Sequence, residues 1–151
     1  MLALSRVLYR LSIAAWLGAM AFLAFIEAPL AFGMLGPHLA GPLVGGELWI
    51  LYPAAVAAGI LALIGLLVRW WRGDKERAGI KCALLMVAIA LMAGSYGIAT
   101  HMDHIRVAAG GDIAFLARQD PQRAAFDRLH HATEDLMGVA ILVVGAVVGL
   151  G

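Results

Sequence analysis

Three short patterns in this 151-residue sequence carry side chains able to ligate a metal or move a proton. His101 and His104 stand three residues apart, His130 and Glu134 stand four apart, and Glu27 interrupts an otherwise apolar stretch. Imidazole and carboxylate are donors for Zn, Cu, Fe or Ni, and helix bundles build such centres from inward ligands on facing helices. Residues three or four apart share a helix face, so each histidine pattern offers two donors in one direction. Met102 and Met137 lie nearby as soft ligands suited to copper. The expected ligand set is therefore His101, His104, His130, Glu134 and Glu27, around a transition metal or haem. No catalytic residue is expected, since the sequence contains no Walker, Rossmann or nucleophile-elbow pattern.

The elements that must position these groups follow from composition. Hydrophobic residues make up 63% of the chain, charged residues 14%, and mean hydropathy is +0.90. A soluble domain of this size has too little interior to hide that much apolar side chain. The solvent for most of the surface is therefore lipid. A net charge of +1 provides no basic field for nucleic acid, and the lone Cys82 excludes an intramolecular disulfide.

A hydrocarbon core of about 30 Å needs about 20 apolar residues per helix. Four segments meet this length: about 7–27, 48–69, 80–100 and 132–150, with a connection over 101–131. None alternates with period two, so helices rather than barrel strands are expected. The first apolar stretch continues past Glu27 to Leu35, with Pro29 set to bend or end the helix. It is too long for a cleaved leader and is read as a retained span. The fold class is thus an all-α integral membrane four-helix bundle in a single domain.

Four spans place both termini and the middle connection on one side, with Arg6, Arg10, Arg69, Arg72, Lys75, Arg77 and Lys81. The opposite side carries Arg106, Arg118, Arg123 and Arg128. The positive-inside rule then puts both termini in the cytoplasm, in what is expected to be a bacterial inner membrane. Trp70 and Trp71 beside Arg69 and Arg72 fit an interfacial belt. All five histidines (His38, His101, His104, His130, His131) and eight of ten acids fall on the outer side.

Gly110-Gly111 breaks the outer connection, and Ile113, Phe115 and Leu116 then form an apolar patch expected as an amphipathic helix in the headgroup zone. Asp120-Pro121 reads as an N-cap with proline at the first helical position, so the fourth helix starts outside the membrane. At about 100° per residue, His130 borders the packed face beside Phe126, and Glu134 follows one turn deeper. His131 and Asp135 are expected to point elsewhere. Glu27 lies about 25 Å beyond Arg10, at a depth similar to Glu134. Glu27, His101/His104 and His130/Glu134 are therefore expected at one level, from three helices.

Plainer roles fit the same residues. Interfacial polar groups cap helices and pair locally, as Glu134 would with His130 or Arg128. Met20, Met86 and Met92 are expected to pack or face lipid, and Cys82 to be an inert buried thiol. Small-x3-small pairs at Ala14/Gly18, Ala55/Gly59, Ala90/Gly94, Ala93/Gly97 and Gly145/Gly149 argue for closely packed helices.

Trp16-Leu17-Gly18, Ala28-Pro29 and Phe32 in the first span resemble the transmembrane protein 205-like family, small four-helix membrane proteins. Gly41-Pro42-Leu43-Val44-Gly45 before the second span and Phe126-x2-Leu129-His130 at the fourth belong to the same likeness. The resemblance covers nearly the whole chain and implies a multi-pass four-helix bundle. Eukaryotic members are associated with resistance to drugs and metal compounds. Trp16, Gly18, Pro29, Phe32 and His130 match the family pattern, whereas Glu27 and the His101/His104 pair depart from it. The Trp-x-Gly first helix is also similar to copper-resistance membrane proteins and to haem-handling four-helix proteins.

The expectation is a multi-pass membrane protein binding a transition metal, haem or small ligand at the outer membrane–water boundary. Its partners would be the lipid bilayer and either a second copy or another membrane protein, and not nucleic acid. One alternative is a non-catalytic accessory protein without a ligand. The other is a solute or proton transport component, although only Ser12, Ser95 and Tyr96 offer polar groups at mid-membrane.

Overall fold

The computed structural model describes residues 2–111, 113–117 and 119–150. Arg118, counted above among the outer bases, lies outside the described residues. The chain forms α1 (Leu2–Phe22), a π turn (Leu23–Glu27), α2 (Ala28–Leu35), α3 (Pro37–Trp71), α4 (Ala78–Ala108) and α5 (Pro121–Gly149). The described residues contain no strand. Four helical rods result, each long and apolar enough to cross a bilayer, with α1, the π turn and α2 forming the first. Lipid offers no hydrogen bonds to the backbone, so closed helical ladders are the form such runs must take.

Pro29 neither ends the first rod nor leaves it regular. Its ring carries no N–H and crowds the carbonyl four residues back. The backbone widens just before it: Ala28 N–H donates to Leu23 O, five residues back, in a π turn. Helix then resumes to Leu35. At Gly36, φ is +70°, a conformation that L side chains rarely adopt, and Pro37 opens α3 at once. One residue thus turns the chain through a tight helical hairpin. Ala31 of α2 packs there on Ala40 and Val44 of α3.

Buried side chains recur every three or four residues on each rod. Tyr9, Ile13, Trp16 and Met20 do so on α1, and Tyr52, Ala55, Gly59, Ala62 and Leu66 on α3. Cys82, Leu85, Ala88 and Met92 follow on α4, then Ala140, Val144 and Val147 on α5. These stripes meet in one core, with α1 against α3, α3 against α4, α4 against α5, and α5 back against α1. The remaining faces are apolar and exposed, as at Phe25, Ile50 and Leu142, which suits lipid contact.

Of the five small-residue pairs, only Ala55/Gly59 lies at a close helix contact. A Cβ on Gly59 would sit 2.6 Å from Ile89 Cγ1 and 2.7 Å from Trp16 Cζ3. Gly18, Gly94, Gly97, Gly145 and Gly149 have nothing within 4 Å. Gly65, outside the expected pairs, is a second close approach, where an added Cβ would sit 3.0 Å from Ser5 O. Spacing alone does not orient a pair when alanine and glycine are common on every face. Met20 and Met92 are fully buried, Met86 is exposed, and Cys82 is a buried free thiol.

The helices overrun the spans expected from hydropathy. Residues 37–47, expected as a connection, are the first turns of α3, and α4 continues to Ala108. The 101–131 segment is therefore mostly the ends of α4 and α5. The expected amphipathic helix between them reduces to one 3₁₀ turn, Ile113–Phe115. Gly110 and Gly111, both at positive φ, end α4, and Asp120 starts α5, leaving too few residues for more. Asp120 caps as expected: its Oδ1 accepts from Gln122 N–H at 2.8 Å, with Pro121 first in the helix.

At the opposite end, Arg69 Nε and Nη2 both donate to Asp74 Oδ2, at 3.0 and 2.6 Å, clamping the α3–α4 turn. The Arg69 guanidinium also lies over the Tyr9 ring. Lys81, counted with the bases of this end, is buried among the helices. Trp71 is exposed beside Arg72, as an interfacial anchor would be.

Candidate functional site

A cavity of about 260 Å³ opens at the histidine end of the bundle, among the outer turns of α3, α4 and α5. Each wall is a helical face. Gly41, Gly45, Leu48 and Tyr52 line it from α3, Ala99, Met102 and Arg106 from α4, and Phe126, His130 and Thr133 from α5. The spacings of three and four explain why these residues share a direction. Ile113, buried in the 3₁₀ turn, closes the outer side, where Phe115 stacks on His38 at 4.7 Å. Small residues on α3 and α4 leave the space, and Trp49, Tyr52 and Phe126 give it aromatic walls.

Charge within the cavity is balanced but unevenly paired. Arg123 Nη1 donates to Leu116 O at 2.8 Å, and its Nε lies 4.0 Å from Asp127 Oδ2. Arg106 is held differently. Its guanidinium lies over the Phe126 ring, 5.7 Å from the centroid, and its Nη2 would be 3.7 Å from a Cβ on Gly45. Its acidic neighbour is Asp103 Oδ1 at 3.8 Å, beyond hydrogen-bond reach. Glycine at 45 thus leaves room for a planar cation at the wall. Deeper in, the Tyr52 hydroxyl bonds Thr133, whose own hydroxyl donates to His130 O at 2.7 Å.

The five expected ligands do not gather at one point. His130 Nε2 lies 3.3 Å from Glu134 Oε1, one turn apart on α5, as expected. His131 does not point away: its Nδ1 meets Glu134 Oε2 at 3.0 Å, because the i,i+3 neighbour also reaches a two-oxygen carboxylate. His101 and His104 are both exposed on α4, and His104 lines a separate shallow groove with Pro121 and Gln122. No three His, Cys, Asp or Glu side chains among the described residues are grouped to hold a metal ion.

Glu27 faces a partner that sequence reasoning did not single out. Its carboxyl hydrogen-bonds that of Glu47 on α3. Oε2 of each is buried without a hydrogen-bond partner among the described residues. Glu47 had a visible signal: it is the one charge in the apolar run before the second span, at the depth expected for Glu27. Arg106 had another, lying one turn beyond Met102 on the helix of His101 and His104. Neither signal says which neighbour the side chain meets.

The chain belongs to a family described as a domain of unknown function, DUF4149, whose model matches residues 11–109. The match runs from α1 to just past the end of α4. It does not carry the transmembrane protein 205-like name, which rests on the motifs alone. No curated protein and no solved structure matches the chain. Fold and family together define a multi-pass, all-α membrane protein of the DUF4149 family.

Proposed function

We propose that this protein receives a small organic ligand in the cavity at the outer ends of α3, α4 and α5. The observation carrying this reading is the 260 Å³ space itself, walled by aromatic rings and bordered by two arginines. Ligand sites are typically apolar concavities holding a few placed polar groups, often between the helices of a bundle. The volume lies between a cavity of about 150 Å³ that holds benzene and the range beginning near 300 Å³ for drug-sized molecules. A ligand of one or two rings fits this scale better than haem.

The same proposal places the cavity on the extracytoplasmic face of a bacterial inner membrane, with both termini inside. Its support is the basic cluster around Arg69, Arg72, Lys75 and Arg77 at the other end, beside exposed Trp70 and Trp71.

The test is native mass spectrometry of the protein released from nanodiscs, comparing wild type with Ala99→Leu, which narrows the cavity. A bound small molecule in wild type, reduced in the variant, supports the reading. Equal retention in both proteins, or none in either after incubation with naphthalene-sized probes, rejects it.

A further inference from the structure

We infer that the cavity selects small monoanions, an aromatic or similarly flat apolar body bearing one carboxylate, and that Arg106 is the group that reads the charge. This rests on the reading of the cavity as a ligand site and adds the class of ligand. Three observations carry it.

Arg106 borders the space yet, among the described residues, has no acid within hydrogen-bond distance, Asp103 Oδ1 standing at 3.8 Å. Its side chain is 28% exposed, and the guanidinium lies close to Gly45 and over the Phe126 ring. A guanidinium presents a planar fork of donors that matches a carboxylate in two parallel hydrogen bonds. Positioned over an aromatic ring and partly buried, that fork loses less freedom on binding than a fully exposed side chain would.

The second cation, Arg123, already spends a donor on Leu116 O and lies near Asp127. Arg106 is therefore the guanidinium with the most free donor capacity at the cavity wall.

Charge count sets the valence. Arg106 stands beside Asp103 on α4 and Arg123 beside Asp127 on α5, so the formal charges of these four described lining residues sum to zero. One added negative charge finds Arg106, while a second meets two carboxylates. Like charges placed against a ligand disfavour it and so add specificity to the attractive contacts. A carboxylate is thus favoured over a phosphate monoester. Trp49, Tyr52 and Phe126 supply the surface for the apolar body.

The experiment uses the full chain in zwitterionic nanodiscs, with empty nanodiscs subtracted, and three matched probes: 2-naphthoate, 2-naphthamide and 2-naphthyl phosphate. Naphthoate should bind at least tenfold more tightly than naphthamide, and more tightly than the phosphate. Arg106→Gln should abolish the preference for naphthoate over naphthamide, with a wild-type circular dichroism spectrum and melting temperature reporting that the variant is folded. Ala99→Leu should weaken all three. Equal binding of acid and amide to wild type overturns the role of Arg106 but leaves the cavity as a site. Tighter binding of the phosphate overturns the monoanion claim. Absence of binding by every probe removes both the ligand site and this inference. If Arg106→Gln does not fold, the wild-type comparison of acid with amide decides alone.

Discussion

Glu27 and Glu47 meet carboxyl to carboxyl between the first rod and α3, each with one buried oxygen left unpaired. Two acids in contact at the edge of a hydrocarbon layer repel when both are ionised. An isosteric amide keeps a hydrogen bond to the remaining carboxylate and removes the repulsion. Glu47→Gln is expected to raise unfolding stability at neutral pH by roughly 1 kcal/mol. Glu27→Gln should do the same, and the double variant should gain less than the sum, as a thermal unfolding cycle would report.

Gly59 provides a packing test with an internal control. A methyl group there meets Ile89 and Trp16 at distances no real contact shows. Gly59→Ala should destabilise the bundle by about 1–3 kcal/mol, the usual range for overpacking. Gly94→Ala, with nothing within 4 Å, should be neutral or slightly stabilising. Equal effects at both positions would contradict the close approach of α1, α3 and α4.

The Arg69 clamp makes stability depend on pH at its acid end. Hydrogen bonds from Arg69 hold the Asp74 carboxyl below its ordinary value, with burial opposing and Arg6 and Lys81 adding to the lowering. A depressed folded value means the contribution is complete above the unfolded value near 3.9 and disappears as pH falls through the folded one. Asp74 is one-third exposed, so the pair is worth about 1 kcal/mol or less. The difference in melting temperature between wild type and Asp74→Asn should be constant at neutral pH and vanish on acidification below about pH 4.

Orientation is open to direct chemistry, because Cys82 is buried and should resist a membrane-impermeant thiol reagent. Lys75→Cys should label only in inverted vesicles, and Gln119→Cys only in right-side-out cells. The reverse pattern would move the cavity to the cytoplasmic face.

Zinc titration addresses the histidines. His130, His131 and Glu134 pair locally on α5, while His101 and His104 are exposed on α4. No saturable one-to-one uptake is expected, and His130→Ala should leave the titration unchanged. Tight uptake lost in that variant would mean the two helices bring their donors together on binding.

The sequence by itself determined the four spans, the break at Gly110-Gly111 and the start of α5 at Asp120-Pro121. Hydropathy is a property of each segment, and caps and breaks are set by a few neighbouring residues. It also placed His130 and Glu134 in contact, since one helical turn brings them there. What tertiary structure decided is which groups meet between rods. The π turn before Pro29 adds a residue to its turn, rotating the remainder of the rod by about 100° relative to a straight helix. Glu27, the last residue of that turn, meets Glu47 on α3, a partner that depth along a straight rod did not reveal. Arg106 acquired its place in the same way, from Gly45 and Phe126 on two other helices. Side-chain pairing across rods depends on rotation and axial shift, and helical periodicity leaves both unspecified.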